Sequence, residues 1–136
     1  MSKDMGKMID EVKSFKQFNE SKNSLNSILL DVAKQARNYI NDEHSLGGSF
    51  VDYCDLVSEK VAELLSKKGI SGKIVYGEYY YQYENAEPDY YGHTWNVVGE
   101  YYIDASREQF DSKEYVISNT DSDYAKYDIE KIVSTF

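Results

Sequence analysis

Apolar residues in the first half of the chain recur every three or four positions, whereas in the second half they crowd into short runs separated by polar loops. The first pattern is the period of amphipathic helices and the second that of strands. Met5, Met8, Ile9, Val12, Phe15 and Phe18 make one stripe over residues 4–18. Leu25, Ile28, Leu29, Val32, Ala36, Tyr39 and Ile40 make another, which predicts a second helix from about Ser24, a suitable cap, to Ile40. "NDEHSLGGS" then breaks the pattern with two glycines. A third helix is predicted from Ser49 or Asp52 to Lys68, with Cys54, Val57, Val61, Leu64 and Leu65 along one side and Gly69 at its end.

Beyond Gly69 the character changes. "GKIVYGEYYYQY" is dense in β-branched and aromatic residues and reads as a strand, "ENAEPD" as a polar loop holding the only proline, and "GHTWNVVGEYYIDAS" as a hairpin. "EYVIS" reads as a further strand and "NTDSD" as a turn, while the tail "IEKIVSTF" fits helix or strand. There is no internal repeat or low-complexity linker. A length of 136 residues suits one domain, one able to bury about two thirds of the surface its unfolded chain exposes. The expected architecture is α+β, with N-terminal helices packed on an antiparallel sheet and residues 1–22 a peripheral helix.

Charge and composition narrow the partners. A formal charge of −9 disfavours a nucleic-acid partner, since binding a polyanion adds repulsion where basic proteins gain counterion release. No apolar run suggests a membrane span or a signal peptide. One cysteine forms no internal disulfide, and two histidines give no zinc-site cluster, so a cytoplasmic setting without a metal is expected.

The hairpin carries the candidate chemistry. Gly99-Glu100 suits a two-residue type II′ turn, which sets Val98 opposite Tyr101, Val97 opposite Tyr102, Asn96 opposite Ile103 and Trp95 opposite Asp104. Alternation then puts His93, Trp95 and Val97 on one face with Tyr102 and Asp104. His93 and Asp104 become diagonal neighbours, roughly 7–8 Å apart at the backbone and within side-chain reach. Each taken alone reads as an ordinary sheet or turn residue. Cys54, alone, reads as a small buried hydrophobe on its helix stripe. Its position near a helix start is what singles it out, because first-turn N–H groups favour a thiolate there.

Cys54, the apolar helix face "LVSEKVAELLSKKGI" with Gly69 fifteen positions on, "GKIVYG" ending at Gly77, "HTWNVV" and "YYIDAS" appear in the order of a known core. Over residues 49–106 the chain resembles the transglutaminase-like members of the papain-like cysteine hydrolase superfamily. It departs from their pattern in having Tyr53 before the cysteine and Ala105 where proline usually follows the aspartate. The resemblance implies a papain-like core, Cys54 as nucleophile, His93 as base, Asp104 as its orienter, and a thioester intermediate formed on a protein or peptide amide without a cofactor. The second oxyanion donor is unassigned beside the Cys54 N–H. Trp95, Tyr53 and Tyr91 are the candidate substrate contacts.

Seven of the 14 tyrosines fall within residues 76–91, a density that fits strand packing or a groove or partner surface. The rival reading is a catalytically silent domain of the same fold that binds a protein through this tyrosine-rich surface. A third has the N-terminal helix docking through Phe15 and Phe18 on a neighbouring molecule. His44, in its polar loop, reads as solvated.

Overall fold

The computed structural model describes residues 3–136, with side chains from Ser24 onward. It is α+β, with two α-helices and one five-stranded antiparallel sheet. Helix α1 spans Lys3–His44 and α2 spans Cys54–Lys67. The strands are β1 (Lys73–Tyr81), β2 (Asp89–Val98), β3 (Tyr101–Ile103), β4 (Val116–Ser118) and β5 (Tyr127–Thr135). Their order across the sheet is β4-β3-β2-β1-β5. Short 3-10 turns at Arg107–Phe110 and Ser122–Lys126 connect the later strands.

Two helices expected before residue 41 are one, since α1 runs through Ser24 without a break. The "NESKN" stretch between the two stripes holds no glycine or proline to stop it. The stripe of residues 4–18, its peripheral placement and the docking of Phe15 and Phe18 concern side chains outside those described. Within the described part, α1 buries Leu29, Val32, Ala33, Ala36 and Ile40. Ile28 and Tyr39, expected on that face, are exposed instead, and Lys60 Nζ lies 4.0 Å from the Tyr39 ring. A stripe of successive three- and four-residue steps is narrow enough to leave its flanks in water.

Helix α2 starts later than either expected cap. Asp52 adopts φ +70° inside a turn closed by Tyr53 N–H donating to Phe50 O at 3.0 Å, so Tyr53 holds the cap position and Cys54 is the first helical residue. The far end follows the glycine rule. Ile70 N–H donates to Leu65 O and Gly69 N–H to Ser66 O, both at 3.0 Å, and Ile70 packs on the core as this capping motif favours.

Alternation divides the sheet into two faces. Val98, Tyr101 and Ile103 join the α1 and α2 side chains in one apolar cluster. Val75, Tyr79, Trp95, Tyr102 and Ile117 point the other way and pack with Phe110 and Tyr127. Fully burying an aliphatic or aromatic side chain contributes about 1.5–3 kcal/mol, so each layer is a substantial core. The hairpin register is Asn96 with Ile103, Val97 with Tyr102 and Val98 with Tyr101, and Gly99 turns at φ +55°, as a type II′ turn requires. The ambiguous tail is a strand, β5, paired with β1 from Tyr79–Tyr127 to Lys73–Thr135.

That last pairing depends on a glycine. A Cβ at Gly77 would run into the Asp128 carbonyl and crowd the Ile129 Cα, both of them backbone. Gly77→Ala is therefore expected to cost about 1–3 kcal/mol by overpacking, read as a lower urea midpoint with an unchanged slope.

Candidate active site

β3 pairs only with Asn96–Val98 of β2, which leaves the stretch around His93 free of that neighbour. The first turns of α2 are fastened to the same strand by side chains. Thr94 Oγ1 donates to Asp55 Oδ1 at 2.6 Å, Ser58 Oγ donates to Thr94 O at 3.2 Å, and Asn96 Nδ2 donates to Ser58 O at 3.0 Å. These bonds satisfy polar groups that would otherwise be buried unpaired, and they set the helix N-terminus against the strand.

His93 is fully buried and Asp104 is 1% exposed. His93 Nε2 lies 2.7 Å from Asp104 Oδ2, a charge-assisted distance. The carboxylate accepts from Nε2 and leaves Nδ1 as the ring nitrogen turned away from Asp104. Asp104 is held in turn by its own N–H donating to Tyr115 O at 2.8 Å.

Burial by itself pushes the imidazole down. The charge and hydrogen bond of Asp104, reinforced by the Cys54 side chain through hydrogen bonding and charge, outweigh it and lift His93 from 6.5 to about 9. The structure thus pairs His93 with Asp104. Cys54 is half-buried and free. It occupies the first position of α2, where unsatisfied N–H groups and the helix dipole favour negative charge.

The aromatic candidates divide. Trp95 is fully buried, its ring stacked on His93 with centroids 5.8 Å apart, so it packs against the imidazole and has no surface with which to wall a groove. Tyr53 is half-buried at the α2 cap position, with its ring 5.3 Å from that of His44. His44 closes α1 and is exposed. Tyr91 is half-buried, edge-on to Tyr83 at 5.1 Å. Most of the tyrosine run packs within the sheet, while Tyr80, Tyr83 and Tyr90 stay exposed.

Several members of the cluster carried no signal in the sequence. Ser106 Oγ donates to Asp104 Oδ1 at 3.2 Å, Gln109 Nε2 lies 3.4 Å from His93 Nδ1, and the Tyr127 hydroxyl donates to Asp104 Oδ2 at 2.8 Å. Ser106 and Gln109 follow Asp104 closely, so a turn after the aspartate was the one available hint. Tyr127 comes 23 residues later, beyond local pattern.

A cavity of about 470 Å³ opens beside the cluster, on the helix side of β1 and β5. Its lining includes Asp55, Thr94 and Tyr76 but neither Cys54 nor His93. Among the described residues, no group of three or more His, Cys, Asp or Glu is placed to hold a metal ion, and no helix is long and apolar enough to cross a membrane. No family model, curated protein or solved structure matches the chain.

Proposed function

We propose that the protein is a cysteine-dependent hydrolase or acyltransferase acting on protein or peptide amide bonds, built on a papain-like, transglutaminase-like core. The observation that carries this reading is the buried His93–Asp104 pair at 2.7 Å, with a cysteine that opens helix α2 among the groups that raise the imidazole. A structural histidine needs a partner but not a charged form maintained toward pH 9 beside a half-exposed thiol.

In this mechanism Cys54 reacts as the thiolate partner of the His93 imidazolium, which already holds the proton near neutral pH, and the sulfur attacks the carbonyl carbon of the amide. The Cys54 N–H is the first donor to the oxyanion. Collapse of the tetrahedral intermediate breaks the C–N bond while His93 returns the proton to the leaving amine, so a thioester remains. Water then completes hydrolysis, or an amine completes transfer, with His93 deprotonating the incoming nucleophile. Asp104 keeps Nε2 protonated and steadies the imidazolium throughout.

The test requires no substrate. Cys54 in the native chain is expected to react with iodoacetamide near pH 7 at least about tenfold faster than a short peptide thiol. A native thiol no faster than the peptide, or one that reacts only on unfolding, would replace the enzyme by the second reading. That second reading, a silent domain of this fold that binds a protein, draws its support from the exposed Tyr80, Tyr83 and Tyr90 at one end of the β1–β2 hairpin.

A further inference from the structure

Asp104 does not serve His93 alone. Its Oδ2 accepts from His93 Nε2 at 2.7 Å and from the Tyr127 hydroxyl at 2.8 Å. Its Oδ1 accepts from Ser106 Oγ at 3.2 Å. Tyr127 opens β5 and is 6% exposed, with its ring centroid 4.7 Å from Tyr79, 5.0 Å from Trp95 and 5.1 Å from Tyr102. A ring packed on three sides leaves its hydroxyl little choice of direction. We propose that Tyr127 is a positioning residue of the Cys54–His93–Asp104 site, its hydroxyl anchoring the carboxylate and drawing off part of the charge that Asp104 presents to the imidazole. This rests on the reading of the site given above.

The physical argument is about one oxygen with two donors. A carboxylate oxygen that accepts a single bond presents its full charge to that donor, and a second O–H on the same atom disperses it. The Tyr127 hydrogen also points its positive end toward the atom that faces His93. Both effects weaken the hold of Asp104 on an imidazolium. His93 then keeps its proton firmly enough to be charged beside a thiolate, yet loosely enough to return it to a leaving amine.

The groups that face this cluster come from every neighbouring element. Cys54 approaches from α2, and Tyr79 from β1 lies 6.1 Å from the His93 ring. Tyr102 comes from β3. Arg107, in the 3-10 turn after β3, has its guanidinium carbon 5.9 Å from the Tyr127 ring and is paired with Asp123 at 2.8 Å. Burial first and the Asp104 charge second hold the Tyr127 phenol well above its ordinary value against the opposing pull of Arg107, so it remains a donor wherever His93 titrates.

Tyr127→Phe keeps the ring and deletes the bond. The chain has two histidines, so ¹⁵N-imidazole NMR of the 136-residue chain follows His93 with the exposed His44 as internal control. The expected result is a His93 midpoint raised by about half to one pH unit with His44 unmoved. A folded Y127F protein with an unmoved His93 midpoint overturns the proposal. Should Y127F not fold, the buried Tyr127 hydroxyl proton of the wild type takes its place: its resonance is expected to shift in step with His93, and one that ignores that titration overturns the proposal equally. The two readings fail separately. A shifted His93 with an unreactive Cys54 supports the role of Tyr127 and removes the enzyme, while a reactive Cys54 with an unmoved His93 does the reverse.

Discussion

Replacing His93 with alanine is expected to slow alkylation of Cys54 at pH 7 by about thirtyfold. A thiol with an ordinary pKa near 8.5 is only about 3% ionised at that pH, so a thiolate kept by a neighbouring imidazolium has roughly that factor to lose. An unassisted thiol is expected to lose rate about tenfold for each pH unit below 7, so a wild-type rate that falls less steeply than that of the variant marks the contribution of His93. The slope therefore separates loss of the proton acceptor from simple exposure or burial of the sulfur, which would shift the rate equally at every pH. Circular dichroism and a urea midpoint keep the comparison to folded protein. Retained reactivity in the alanine variant would show that the helix terminus alone activates the thiol, and would leave His93 as a buried structural partner of Asp104.

How much of this arrangement was readable beforehand follows the range of each interaction. The hairpin register came from two adjacent residues, Gly99 and Glu100, and from alternation, both local; the observed pairs from Asn96–Ile103 to Val98–Tyr101 agree with it. The end of α2 at Gly69 was equally local. Its beginning was not, because Ser49 and Asp52 are both good caps by type, whereas the chain puts Asp52 at positive φ in a turn closed onto the carbonyl of the buried Phe50, which moves the cap to Tyr53. The tail was ambiguous for a similar reason. "IEKIVSTF" has no clean period, and what makes it a strand is the open side of β1, a tertiary fact.

The site divides along the same line. Cys54, His93 and Asp104 stood out by residue type and order, whereas Tyr127 joins them only because β5 folds back against β1 and sets it opposite Tyr79. Arg107 is the other long-range member. It reads as one polar residue of "ASREQ", yet it is 1% exposed and ties the turn after β3 to Asp123 and to the Glu114 carbonyl.

Asp104→Asn is expected to cost stability in a way that depends on pH, and the sign follows from the opposing forces on His93. In the wild type the folded imidazole sits at about 9 against an ordinary 6.5. A raised folded value contributes stability that is fully present below about 6.5 and disappears as pH rises through 9. The span corresponds to roughly 3 kcal/mol. Asparagine keeps the shape and an acceptor for Tyr127 but removes the charge, so burial, the largest single influence on His93, acts with far less opposition and drives the imidazole toward its neutral form. The variant should then lie furthest below the wild type near pH 6 and approach it near pH 9.5, measured as paired urea unfolding curves across that range. A stability gap that stays constant with pH would mean that the bond between His93 and Asp104 is a neutral one, and a neutral pair has no charged imidazole to set beside Cys54.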